Sequence, residues 1–138
     1  MANCLDQLKR DGAKMTKTRR LLVELFERCR LPLSETEIRQ ALAARGRPVN
    51  KTTVYRELAA LIARGLVQQV DFGDRKLRFE LAGHHHHLVC TGCRKVQDIH
   101  VRHDTGRIER LAKAQKHFII RRHSLEFFGL CQACAKDA

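Results

Sequence analysis

Asn50-Lys51-Thr52-Thr53-Val54-Tyr55-Arg56-Glu57-Leu58-Ala59-Ala60-Leu61-Ile62, closed by Gly65 and followed by the apolar runs Leu66 to Val70 and Leu77 to Leu81, decides how this chain folds. Asn50 is a good N-cap, because its side-chain oxygen can accept from a free amide of the first helical turn. Val54, Leu58, Leu61 and Ile62 recur at helical spacing, and Gly65 suits the left-handed position just past the helix end. The two runs flank Phe72-Gly73-Asp74-Arg75-Lys76, which predicts a β-hairpin with a polar tip. Toward the N-terminus, Leu21, Leu22, Leu25 and Phe26 predict an amphipathic helix from about Thr16 to Cys29, with a weaker one around Asn3 to Asp11. Ser34-Glu35-Thr36-Glu37 is a capping box, with Leu33 and Ile38 placed for a hydrophobic staple. It predicts a helix to about Arg45, before Gly46 and Pro48 break the chain. Three or four helices followed by a hairpin is the order of a winged helix-turn-helix.

The chain has 138 residues, with 27 Lys+Arg against 15 Asp+Glu and a formal charge of +12, which points to a polyanionic partner. No apolar run approaches the ~20 residues of a membrane span. Met1-Ala2-Asn3-Cys4-Leu5-Asp6 lacks the layout of a secretory signal, so a cytoplasmic location without membrane contact is expected. Six cysteines there are metal ligands or free thiols sooner than disulfides. Residues 1–82 hold 17 basic and 10 acidic side chains, net +7, and residues 83–138 hold 10 and 5, net +5. All eight histidines and four of the six cysteines fall in the second part. Two units follow: a winged-helix DNA-binding domain at 1–82 and a metal-binding domain at 83–138. The second has only about 55 residues, below the ~70 to 80 at which a core alone suffices, so it needs a staple, a partner subunit or both. Strands are expected at His86 to Cys90 and Val96 to His100, a helix from about Asp104 to Lys116, and a further strand or two at Phe118 to Ile120 and Leu125 to Leu130.

Opposite the apolar stripe of the helix after Asn50 lie Thr52, Tyr55, Arg56 and Ala59. An exposed Tyr beside an Arg, on the last helix before a hairpin, suits a recognition helix: Arg bonds bidentately to guanine and an aromatic ring packs on a thymine methyl. Lys51, Thr53, Arg75 and Lys76 are placed to engage phosphates, which fix register without reading sequence. A solvated face of an ordinary amphipathic helix is the plain alternative, and the +7 charge with the winged order favours DNA.

Cys90-Thr91-Gly92-Cys93 and Cys131-Gln132-Ala133-Cys134 are two Cys-x-x-Cys knuckles, the spacing at which four thiolates share one tetrahedral Zn²⁺. Such a site supplies on the order of 10 kcal/mol of folding free energy, the staple this small unit lacks. Cys4 and Cys29 read as ordinary thiols. In an extended His84-His85-His86-His87, alternate side chains face opposite ways, so His85 and His87 point to one side and His84 and His86 to the other. One tract can then feed two sites. Glu80 can join His85 and His87 in a site that straddles the two units, where a bound cation would select between their orientations. Nitrogen and carboxylate donors suit Fe, Mn, Zn, Ni or Co alike.

These residues together resemble one family. Lys14-Met15-Thr16 with Arg19, Thr53-Val54-Tyr55-Arg56, Phe79-Glu80, the His tract leading into Cys90 and Cys93, and His123-Ser124-Leu125 with Cys131 and Cys134 are similar to the ferric uptake regulators, over nearly the whole chain. The resemblance implies an α+β protein: a winged helix followed by a small C-terminal α/β dimerisation domain with a four-cysteine zinc site. It implies no enzyme but a homodimeric, metal-dependent repressor of double-stranded operator DNA, with tetramers left open. Carried over by position, Lys14, Arg19, Lys51, Thr52, Tyr55 and Arg56 serve DNA, and Cys90, Cys93, Cys131 and Cys134 hold structural Zn²⁺. Glu80, His85, His87 and Asp98 form the regulatory site; His84, His86, Glu109 and His123 form an additional one, with Arg107 competing for the place of Glu109.

Many relatives carry a His just before the capping box, where this chain reads Leu31-Pro32-Leu33. The regulatory site is then smaller, or completed by a group such as Asp98, His100 or His103. Fe²⁺ is the first expectation for the sensed metal, with Zn²⁺ and Mn²⁺ as alternatives. Peroxide sensing by His oxidation is disfavoured, because relatives that do it use a ligand at the missing position. A zinc-uptake regulator of the same family, and a constitutive DNA-binding protein whose zinc is only structural, are the other readings. A zinc hydrolase is disfavoured, since no His-Glu-x-x-His or comparable motif occurs.

Overall fold

Four helices of the N-terminal part start on a polar side chain that accepts from the first turn. Asn3 caps α1 (Cys4–Arg10), Thr16 caps α2 (Lys17–Arg28), Ser34 caps α3 (Glu35–Ala44) and Asn50 caps α4 (Lys51–Ala63). The capping box forms: the Ser34 amide donates to Glu37 Oε2 at 2.7 Å and the Glu37 amide to Ser34 Oγ at 3.3 Å. At the end of α4, Gly65 takes φ +69 and the Leu66 amide reaches back to the Leu61 carbonyl, the terminator expected for a glycine there.

Strands β2 (Val67–Asp71) and β3 (Leu77–Leu81) form the expected hairpin, with Gln69 opposite Phe79. A third strand, β1 (Leu33–Ser34), pairs along the other edge of β3, so the wing sheet runs β1-β3-β2. Two residues are too few to leave a periodic trace in the sequence. Leu22, Phe26, Ile38, Leu42, Leu58 and Leu61 are fully buried between the helices and this sheet. Two expectations need correction. Ile62, assigned to the apolar face of α4, is 38% exposed at its C-terminal end. Phe72, assigned to a polar hairpin tip, is buried, with the Arg78 guanidinium 5.1 Å from its ring centroid.

The computed structural model describes residues 3–83, 85–102, 105–120 and 123–138, and the chain divides into units at 1–83 and 84–138. The second unit is built on β4 (His86–Cys90), flanked by antiparallel β5 (Val96–Ile99) and parallel β6 (Glu126–Gly129). Parallel pairing requires a crossover connection, and α5 (Thr105–Lys116) lies within it. Phe118 to Ile120, expected as strand, is irregular, and Phe118 and Ile119 are exposed. Their apolar character is not spent inside this unit. A short α6 (Gln132–Lys136), starting at the second knuckle, was not foreseen. Among the described residues of this unit, only Val89 and Cys90 are buried apolar side chains, so its core is small. No described helix is long and apolar enough to cross a membrane.

Candidate metal centres and nucleic-acid interface

Cys90 ends β4, Cys93 closes the turn that follows, and Cys131 and Cys134 sit at the start and within α6. Their four sulfurs all lie within 4.8 Å of one another, and Cys93 Sγ to Cys131 Sγ is 3.8 Å. Zn–S bonds of ~2.3 Å at tetrahedral angles put sulfurs roughly 3.8 Å apart, whereas a disulfide needs ~2.05 Å. The spacing fits a cation shared by four thiolates. The amides of Cys131 and Cys93 donate to Cys90 Sγ and hold its thiol down to about 6, while the side chain of Cys131, with those of Cys90 and Cys93, pushes Cys134 up to about 12. Four thiols this close cannot all ionise without a dication among them. Gly92 permits the closure: a Cβ there would meet Cys134 Sγ at 2.9 Å.

At and just before the start of β4, the described histidines alternate as the extended reading requires. His85 and His87 share a side, with ring centroids 5.0 Å apart. His86 lies on the other, its Nδ1 3.2 Å from the Leu125 carbonyl oxygen. His84 lies outside the described residues, as does His103. His87 is buried opposite Asp98 on β5, with Nε2 3.7 Å from Asp98 Oδ1. That oxygen is buried and accepts no hydrogen bond among the described residues. A buried carboxylate oxygen is costly to leave without a partner, and a cation held with His87 would satisfy it. Glu80 is buried on β3 and its Oε1 accepts from Gln68 Nε2 at 2.7 Å. From the additional set, Glu109 Oε1 of α5 and His123 Nδ1 lie 2.9 Å apart.

On α4 the expected reading face is open: Thr52, Tyr55, Arg56 and Ala59 are exposed. The Tyr55 ring is held edge-on to Phe79 of β3, with centroids 6.2 Å apart, and Lys51 Nζ lies 5.9 Å from its centroid. Lys14 is exposed before α2. Arg19, expected with the DNA-binding groups, has partners within the unit. Its Nε pairs with Glu57 at 2.8 Å and its Nη1 donates to the Lys14 carbonyl at 2.8 Å, with only 14% of the side chain exposed. Glu57 went unnoticed in the sequence although it sits on the apolar stripe of α4, between Val54 and Leu61. At the wing, Arg78 binds Asp74 through two nitrogens and holds its carboxyl at about 2, below the usual carboxylate range. Arg75 takes φ +62 in the turn it braces.

The sequence pattern of the Ferric uptake regulator family matches residues 10–128. The chain belongs to that family, whose members are metal-dependent transcriptional regulators rather than enzymes. It is 29% identical to the peroxide operon regulator of Bacillus subtilis over 137 residues, covering 99% of this chain and 94% of that protein. Its structure is similar to the ferric uptake regulator of Vibrio cholerae, at 29% identity and a TM-score of 0.68 over 91% of this chain and 97% of that one. The Helicobacter pylori regulator Fur, which has three functional metal-binding sites, shares the fold at a TM-score of 0.73 and 24% identity, over 96% of this chain and 89% of that one.

Proposed function

We propose that this protein is a cytoplasmic, iron-responsive repressor that binds operator DNA as a homodimer when Glu80, His85, His87 and Asp98 hold a divalent cation. The observation that carries the metal-responsive reading is the buried Asp98 Oδ1, which faces His87 at 3.7 Å and accepts no hydrogen bond among the described residues, beside the His85 ring that neighbours His87. When bound, the cation would supply one positive centre for donors from both parts of the chain. Glu80, five residues before His85, comes from the wing and not from the C-terminal unit, so its engagement changes with the orientation of the DNA-binding unit. Nitrogen and carboxylate donors accept iron, manganese and zinc alike, so the donor types support a divalent cation without choosing which one.

Cys90, Cys93, Cys131 and Cys134 hold structural Zn²⁺ in this reading, and His86, Glu109 and His123 are assigned to a second, additional site, together with His84. Tyr55 and Arg56 face bases; Lys14, Lys51 and Thr52 position the helix, and Arg19 acts through Lys14 instead of touching DNA. Homodimer formation is supported by apolar side chains that the C-terminal unit leaves exposed, among them Ile108, Leu111, Phe118, Ile119 and Phe128. The name of the Bacillus subtilis relative favours a second reading, a peroxide response. Pro32 speaks against it, since no His ligand stands before the capping box. Gel-shift titrations of zinc-loaded protein with Fe²⁺, Mn²⁺ and further Zn²⁺, each with and without peroxide, test both. Tightening by Fe²⁺ that peroxide does not abolish supports the iron reading, and peroxide-abolished binding supports the other.

A further inference from the structure

The register of β4 and β5 puts more than the expected donors on one face. His87 stands opposite Asp98 and His86 opposite Ile99. Carried one pair further, the same antiparallel register sets His85 opposite His100. Side chains two apart on a strand share a face, and opposite residues are near neighbours. The rings agree: His85 is 5.0 Å from His87 and 6.4 Å from His100, centroid to centroid. One face of the strand pair thus carries His85 and His87, whose ligand atoms lie within 4.8 Å of each other, with Asp98 across from His87 and the exposed His100 as the outer neighbour of His85; Asp98 Oδ1, 3.7 Å from His87 Nε2, accepts no hydrogen bond among the described residues.

We propose that His100 is a ligand of the regulatory cation, so that four donors, His85, His87, Asp98 and His100, belong to the C-terminal unit alone. The inference rests on the metal-responsive reading and specifies its site. Its physical ground is the pairing: His100 is the cross-strand neighbour of His85, as Asp98 is of His87, so one strand pair presents both couples without any group from the DNA-binding unit. His100 takes up the nitrogen donation that Leu31-Pro32-Leu33 cannot give. Three nitrogens and a carboxylate make a complete four-coordinate set, and Glu80 then adds to a cation already retained, as a sensor's variable contact should.

Titration of the full-length, zinc-loaded protein with Co²⁺, read by visible absorption and by competition with a chelating dye, tests this. His100→Ala and His100→Gln are each expected to weaken Co²⁺ binding at least tenfold and to change the ligand-field spectrum, while zinc content and circular dichroism stay as in the parent. His100 is exposed after the end of β5, so neither change removes core packing. Parental Co²⁺ affinity and spectrum in both variants would overturn the inference, even with metal-dependent DNA binding intact. Parental protein whose DNA affinity ignores every metal, but whose Co²⁺ binding drops on His100 substitution, would overturn the regulatory reading and leave the ligand assignment standing.

Discussion

Arg19 of α2 and Glu57 of α4 form a largely buried ion pair at 2.8 Å, and the same guanidinium holds the carbonyl of Lys14. One side chain therefore ties α4 to the segment that carries Lys14. Removing either partner leaves the other charge buried and unpaired. Arg19→Ala or Glu57→Ala is expected to destabilise the N-terminal unit by about 2–3 kcal/mol, somewhat less than a fully enclosed pair, because Arg19 keeps some contact with water. Urea unfolding measures this. An Arg19→Ala change that cost under about 0.5 kcal/mol would mean the pair is only superficial.

Base reading and phosphate contact separate by their salt dependence. Arg56→Ala is expected to cost about 1–3 kcal/mol of operator affinity and to relax preference at one base position. Lys51→Ala weakens all sequences alike and lowers the slope of log affinity against log salt by about 1. Binding titrations on operator and scrambled duplexes at several salt concentrations check both.

Gly92→Ala places a methyl group 2.9 Å from Cys134 Sγ. Metal–ligand distances tolerate only about 0.2 Å, so Cys134 is displaced from the cluster. The variant is expected to lose zinc to a competing chelator far faster than the parent, with loss of the C-terminal unit's circular dichroism. Retention of one tightly held zinc per chain would contradict the assignment of Cys134.

The Asp74–Arg78 clasp predicts an acid limit for the wing. Hydrogen bonds from Arg78 hold the Asp74 carboxyl at about 2, down from 3.8. A group with a depressed native pKa stabilises fully above its unfolded value and loses that contribution as pH falls through the native one. The clasp is therefore intact above pH 3.8 and opens near 2. A carboxyl titration of Asp74 by NMR is expected to show its midpoint near 2, and a midpoint near 4 would contradict the clasp.

Most of the fold was legible because caps and periodicity are local. Ser34, Asn50 and Gly65 marked their boundaries, and the Cys-x-x-Cys spacings announced a cluster that the sulfurs form. What escaped depends on tertiary partners. Leu33 and Ser34 become a strand only because β3 lies beside them, and Phe72 is buried because Arg78 folds over it. Phe118 to Ile120 has the composition of a strand, but β6 occupies the position beside β4. At the metal face, the His tract gave the alternation, whereas the His85–His100 neighbour relation required the register of two strands. The motif placed Arg19 with the DNA-binding groups, whereas its pairing with Glu57 depends on how α2 and α4 pack.

The central claim is that a divalent cation at the His–carboxylate face governs DNA binding, and the most direct measurement is operator affinity of the zinc-loaded protein as Fe²⁺ is added under anaerobic conditions. The account predicts a rise of tenfold or more, about 1.4 kcal/mol of coupling, abolished in the His85→Ala, His87→Ala double variant that retains its zinc. An affinity that is the same with and without Fe²⁺, Mn²⁺ or added Zn²⁺ would contradict it.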